Sequence, residues 1–284
     1  MRVLILGGDG MLGHQLLKQL SLRHEVRVTL RRPLADYAGA GLFNAGNAFD
    51  RVDVRDFESV RCSVITCNPD AVINATGIVK QRAEAAEAIP SIEINALLPH
   101  RLAALCAETG ARLVHMSTDC VFSGKQGGYR EDDLPDATDI YGRSKLLGEV
   151  SAPPAITLRT SIIGRELSRK TGLLEWFLAQ QGTISGYRRA IFSGFTTIEM
   201  ARIIEMLLMR FPGAHGLYHV SSAAISKYEL LTLIRDRLGL ATRIDPEDEF
   251  HCDRSLDSAH FRSSFGYEPP SWPAMIDELA VTTG

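Results

Sequence analysis

The feature that most constrains the fold is Gly7-x-x-Gly10-x-x-Gly13, placed directly after the apolar run Val3-Leu4-Ile5-Leu6. A short, continuous apolar run ended by glycine reads as a strand buried on both faces of a parallel sheet. Residues 11–22 follow with Leu12, Leu16, Leu17 and Leu20 along one helical face. Strand, glycine turn and helix in that order make a phosphate cradle. Glycine permits the tight turn and lets backbone N–H groups approach a pyrophosphate, and the helix N-terminus adds partial positive charge. Gly13 allows the helix to pack close to the sheet. The same triplet also occurs as a purely structural turn in α/β proteins, so it needs a second signal.

The alternation continues. Strands are expected at 26–30, 49–54, 71–74, 112–116 and 156–159, with helices at 57–67, 89–108 and 141–150 between them. Pro99 should bend or break the helix that contains it. Residues 123–139 are polar, rich in Gly and Asp, and read as a loop. After about residue 165 the alternation decays into helices at 197–210, 227–238 and 272–281 with short strand-like pieces such as 217–220. This pattern predicts an α/β fold: a Rossmann-type doubly wound parallel sheet over 1–165, with a smaller C-terminal substrate-binding lobe over 166–284. No linker marks the boundary, so the two parts are expected to interleave.

Composition narrows the function classes. A chain of 284 residues with 45% hydrophobic and 23% charged residues suits one large α/β domain or one plus a small lobe. A net charge of −3 gives no nucleic-acid or anionic-membrane surface. Cys62, Cys67, Cys106, Cys120 and Cys252 are scattered with no CxxC spacing, which predicts neither a metal site nor a disulfide framework, in a reducing cytoplasm. His215 and His219 are four apart but lie near a strand without a clustered acid. The apolar start is too short for a signal peptide, and no run of apolar residues reaches membrane-spanning length.

The second signal lies about 130 residues past the glycines, in Tyr141-Gly142-Arg143-Ser144-Lys145, with Ser117-Thr118-Asp119 upstream. Tyr141 and Lys145 are four apart, hence on one face of a helix. A free phenol has a pKa of about 10 and is a poor acid–base group at neutral pH. A nearby ammonium stabilises the phenolate, and Lys145 is positioned to bond the ribose of a nicotinamide cofactor as well. Thr118, at the end of the fifth strand, faces the crevice where such sheets bind ligands. Ser117, one residue off, is expected to point away from Tyr141. A surface i,i+4 pair would use the same spacing, but not beside a glycine turn.

The cofactor is read from the end of the second strand. NAD sites usually carry an acid there for the ribose 2′-hydroxyl. Here the segment is Thr29-Leu30-Arg31-Arg32, which has no acid and two guanidinium groups suited to a 2′-phosphate. The expectation is NADPH rather than NADH. Asp53, followed by Val54, is a candidate acceptor for the adenine amino group.

With these residues in view, the chain resembles the extended short-chain dehydrogenase/reductases, and among them the dTDP-4-dehydrorhamnose reductase group. The resemblance rests on the glycine turn, Asp53-Val54, Asn74-Ala75-Thr76-Gly77, Asn95, the run from Ser117-Thr118-Asp119-Cys120 to Gly124, Tyr141 to Glu149, and Leu158-Arg159-Thr160. It is strong over 1–165 and general beyond. It implies Thr118, Tyr141 and Lys145 as the catalytic triad. Gly7, Gly10, Met11, Leu12, Asp53, Val54, Ala75, Thr76 and Gly77 would line the cofactor, with Arg31 and Arg32 at its 2′ end. It also implies a nucleotide-linked deoxysugar reduced at a keto carbon, C4, and an oligomer, at its simplest a homodimer, through helices near 90–108 and 140–150. Cys120 stands where the group usually has tyrosine, so the substrate edge is expected to differ.

Toward the substrate, Arg188 and Arg189 are candidates for a diphosphate and Phe195 for a base. A basic surface loop and a core phenylalanine are the equally weighted alternatives. Asp119 is either a proton-handling group or a loop cap. Two other functions remain open on sequence. One is an epimerase or dehydratase with tightly held NAD, which would want a further acid beside Asp119. The other is a dinucleotide-binding regulatory subunit, which would have no need of Tyr141.

Overall fold

The computed structural model describes residues 1–78, 87–168 and 170–281. Its elements follow the hydrophobic pattern. β1 (Arg2–Leu6), α1 (Met11–Leu20) and β2 (Glu25–Thr29) open the chain, followed by a 3-10 turn over Leu34–Ala40 and a two-residue β3 (Ala48–Phe49). The third strand is therefore shorter than the predicted 49–54. After Phe49 isolated bonds continue the pairing: Leu30 N–H donates to the Phe49 carbonyl, Val52 N–H to the Leu30 carbonyl and Arg51 N–H to the Arg32 carbonyl.

α2 (Phe57–Cys67) and β4 (Ala71–Asn74) come next. The helix around Pro99 has three parts: α3 (Ala88–Ser91), a π-helical stretch over Ile92–Leu97, and α4 (Leu98–Thr109). Pro99 sits in the first turn of α4, where its missing N–H has no intrahelical role. β5 (Arg112–Met116), a short 3-10 turn (Asp119–Val121), α5 (Ile140–Leu147) and β6 (Ala155–Arg159) complete the first half.

The sequence order after β6 is β7 (Ile162–Ile163), α6 (Leu173–Leu178), β8 (Thr183–Tyr187), β9 (Ala190–Phe192), β10 (Phe195–Thr196), α7 (Thr197–Arg210), β11 (Gly216–His219), β12 (Ile225–Ser226), α8 (Lys227–Leu238), β13 (Arg243–Glu247), β14 (Cys252–Asp253), α9 (Ala259–Phe265) and α10 (Trp272–Val281).

The main sheet runs β11-β6-β5-β4-β1-β2-β3, all pairs parallel. The strand order reverses between β1 and β4, and the crevice at their carboxyl ends is where a ligand binds in such a sheet. Alternation along each strand fills two cores. Val3, Ile5, Ala71, Ile73 and Val114 face α1 and α7, whereas Leu4, Leu6, Val72 and Leu113 face α2 and α4.

β11 and α7 belong to these layers although they follow residue 165: β11 extends the main sheet beside β6, and α7 packs along α1. Before and after them in the chain, short strands form small sheets in a second tier. β9 pairs with β12 and β14, and β8 pairs with β13. The loop 123–139 is tied to this tier by Tyr129, whose N–H donates to the Ser255 carbonyl and whose carbonyl accepts from Asp257 N–H.

Candidate active site

The glycine turn is shaped by close approach. Gly7 adopts φ +83°, and a Cβ there would lie 2.9 Å from Thr76 Cγ2. A Cβ on Gly13 would run into the Gly7 carbonyl, which is why α1 can lie so near β1. Gly10 caps α1 without a side-chain bond, and the first turn of α1 carries no acid. The N–H groups at this helix end therefore suit an anion. His14 anchors the turn by bonding the Gly10 carbonyl through Nδ1 at 2.8 Å, and burial holds its pKa below the usual imidazole range. These residues fit a dinucleotide pyrophosphate. Gly13→Ala is expected to lower stability by about 1–3 kcal/mol and to abolish dinucleotide binding. A melt and a cofactor titration of the variant check both.

The other expected cofactor residues divide by environment. Ala75, Thr76 and Gly77 run past the turn from the end of β4; Asn74 Oδ1 accepts from the Thr76 N–H at 3.2 Å and from its hydroxyl at 2.5 Å. Met11 reaches across toward Gly172. Leu12 sends its side chain into the core, so only its backbone can serve a ligand. Val54 packs against the α2–α4 core. Asp53 is engaged by Arg55 through both carboxylate oxygens, and that guanidinium holds its carboxyl below the usual range. An adenine amino group would have to compete with Arg55. Arg31 and Arg32 are exposed. Arg32 lies over the Tyr37 ring at 5.0 Å.

The C-terminal end of β5 and the first turns of α5 build the reactive corner. Asp139 caps α5 by accepting from Gly142 N–H at 2.8 Å, and Gly142 has no side chain because the Cys120 carbonyl occupies that space. Tyr141 and Lys145 then share one face. Thr118 Oγ1 accepts from Cys120 N–H at 3.1 Å and donates to Asp119 Oδ1 at 3.2 Å. The Thr118 hydroxyl also lies beside the Tyr141 phenol, where it favours the phenolate. Tyr141, Thr118 and Asp119 are thus grouped at one corner.

Burial drives the charges here. It raises the Tyr141 pKa above the ordinary phenol value, with Cys120, Asp119 and Asp139 adding to the effect. Lys145, 5% exposed, donates from Nζ to the Met116 carbonyl at 2.5 Å, and burial pushes its pKa down to about 8. Lys145 was expected to lower the phenol pKa, but the group that pulls it down is the Thr118 hydroxyl, and desolvation outweighs that, so Tyr141 is held protonated at neutral pH. That protonation state is the one a proton donor needs.

Ser117 points away from Tyr141, as expected, and donates to Glu149 Oε1 at 2.7 Å. Glu149 in turn receives the Arg159 fork, both bonds at 2.8 Å. Arg159 also meets His219 Nε2 at 3.1 Å, and His219 Nδ1 bonds the Tyr129 carbonyl at 2.9 Å. Burial lowers the His219 pKa, so the ring is a neutral Nδ1–H tautomer that accepts from Arg159.

Two substrate candidates are placed elsewhere. Phe195 is fully buried in the core with its ring edge against Tyr267, so it has no face for a base; it is the core phenylalanine of the alternative reading. Arg188 is exposed, pairs with Asp248 at 3.3 Å and lies over the Tyr228 ring on the outer β8–β13 sheet. Among the described residues no cluster of three metal-binding side chains occurs, and no helix is long and apolar enough to cross a membrane.

Comparison with known proteins adds the lineage. The family described as RmlD substrate binding domain matches residues 1–282. The chain belongs to this family. Within reach of it, the chain is 30% identical over 250 residues to the spore coat polysaccharide biosynthesis protein SpsK of Bacillus subtilis, covering 86% of this chain and 81% of that one. It is 28% identical over 256 residues to methionine adenosyltransferase 2 subunit beta of Danio rerio, covering 84% and 74%. The fold matches a dTDP-4-dehydrorhamnose reductase from Bacillus anthracis in complex with NADP with a TM-score of 0.81, at 23% identity and covering 100% and 99% of the two chains.

In this family member the second tier also reaches the reactive corner. Lys227, the first residue of α8, and Arg254, just after β14, are the cations that bear on the buried Asp119. Arg254 is fixed by the Phe122 and Ser123 carbonyls, at 2.8 and 3.2 Å. Neither residue was predicted from sequence. The available signal was a lysine at the first position of a helix behind the Ser226–Glu229 capping box, where the helix dipole favours an acid.

Proposed function

We propose that the chain reduces a keto group, C4, on a nucleotide-linked deoxysugar with NADPH as the donor. Family and fold make it an oxidoreductase of the sugar-nucleotide reductase kind. What supports the finer reading is the grouping of Tyr141, Thr118 and Asp119 beside Lys145, at the crevice end of the sheet and next to the glycine turn.

The glycine turn and the α1 N-terminus would hold the cofactor pyrophosphate, Ala75 to Gly77 its flank, and Lys145 its nicotinamide ribose. The bound dinucleotide supplies the hydride. Tyr141, kept protonated by burial, gives its proton to the carbonyl oxygen. Thr118 turns its hydroxyl from Asp119 to the same oxygen and holds it in register. Asp119, freed of that hydrogen, stays balanced by Lys227 and Arg254. A soluble homodimer working in the cytoplasm on a nucleotide sugar is the setting this reading entails.

Arg32 carries the preference for NADPH. Arg32→Gln is expected to weaken NADPH about tenfold and leave NADH within about twofold, because a charge-assisted bond to phosphate is lost. Equal losses for both dinucleotides, measured by titration, would remove the assignment.

The likeness to a methionine adenosyltransferase subunit favours one second reading, a dinucleotide-binding regulatory subunit. Dinucleotide binding without turnover of any ketosugar would support it.

A further inference from the structure

The acid missing from the end of β2 is supplied by the glycine turn itself. Asp9 stands between Gly8 and Gly10. The Tyr37 hydroxyl donates to Asp9 Oδ2 at 3.2 Å and accepts from the Arg32 N–H at 3.4 Å. The same ring, buried and packed edge-on against Phe43, carries the Arg32 guanidinium 5.0 Å above its face. One phenol therefore holds a carboxylate and a guanidinium at a single corner. That corner is where β2 meets the glycine turn, since the Thr29 carbonyl accepts from Gly8 N–H at 2.9 Å and Thr29 Oγ1 from Gly7 N–H at 3.1 Å. In a sheet of this order the adenosine ribose lies over that meeting point.

We propose that Asp9 and Arg32 form an opposed pair, shelved by Tyr37, that sets the discrimination between NADPH and NADH. Arg32 attracts a 2′-phosphate. Asp9 repels it and accepts a bond from a free 2′-hydroxyl. The preference for NADPH is thereby held below what Arg32 alone would give. Tyr37 is a positioning residue: its ring sets the height of the guanidinium, and its hydroxyl fixes the direction of the carboxylate. The inference rests on the dinucleotide-binding reading above and adds the residue that limits its selectivity.

The test is direct titration of purified protein with NADPH and with NADH, at low and at high salt, without substrate. Asp9→Asn removes the charge and keeps an oxygen for the Tyr37 hydroxyl. It is expected to tighten NADPH about tenfold, equivalent to about 1.4 kcal/mol, while NADH stays level or weakens by up to about threefold. High salt should narrow the gain, because the half-buried Asp9 and the exposed Arg32 act on a phosphate open to solvent. Tyr37→Leu is expected to weaken NADPH about fivefold with NADH unchanged, whereas a purely structural role would move both together. An NADPH-to-NADH affinity ratio that stays within about twofold in Asp9→Asn would overturn the opposed pair and leave the reductase reading standing. A wild-type protein that binds neither dinucleotide would overturn both.

Discussion

Tyr141→Phe is expected to lower kcat for ketosugar reduction by about a thousandfold, the scale of a positioned general acid, and to leave the NADPH dissociation constant within about twofold. The reason is the separation of tasks at the corner. Phe keeps the ring and its packing beside Thr118 but has no proton to give. In the proposed binding mode the cofactor is held from the glycine turn and from Lys145, which the substitution leaves in place. Steady-state rates with paired cofactor titrations check this. A variant that turns over at more than about a tenth of the wild-type rate would assign the proton to another group.

Glu149→Ala is expected to have the largest effect on stability. Glu149 and Arg159 form a two-bond pair with side chains 10% and 4% exposed, and Ser117 donates to the same carboxylate. Removing the carboxylate leaves the guanidinium buried beside a neutral His219 and orphans the Ser117 hydroxyl. Breaking a buried pair in this way costs about 3–5 kcal/mol, which for a chain of this length lowers Tm by roughly 10 °C. Activity should fall as well, since Ser117 fixes the end of β5 from which Thr118 projects. Thermal melts of wild type and variant decide it. A Tm within about 2 °C of wild type would mean that Arg159 finds another partner.

The first half of the chain was legible because its signals are local. Buried parallel strands read as apolar runs, α2 and β4 fall where periodicity puts them, and Tyr141 and Lys145 share a helical face at a spacing of four. β3 was over-read because its apolar and polar residues continue past Phe49 while the pairing partner, β2, ends. β11 was assigned to the second lobe because four residues say nothing about which sheet they join; only the parallel pairing with β6 returns it to the main sheet.

The site was legible to the same degree and for the same reason. Thr118, Tyr141 and Lys145 lie close in sequence and meet in space. Asp9 and Tyr37 meet Arg32, and Lys227 and Arg254 bear on Asp119, from separate segments, through pairings that sequence spacing does not encode. Phe195 was offered for a base because a phenylalanine in an irregular stretch carries no periodic sign of burial. The sequence reading placed Arg31 and Arg32 together, but the structure separates them: Arg32 rests on Tyr37, while the charge of Arg31 bears on Asp53.

The most direct test of the central claim is NADPH consumption by the wild-type protein when dTDP-4-keto-6-deoxysugars are generated in the same vessel. The account predicts steady consumption, with one reduced sugar formed per NADPH oxidised and far slower consumption with Tyr141→Phe. Tight NADPH binding with no consumption on any nucleotide-linked ketosugar would contradict it.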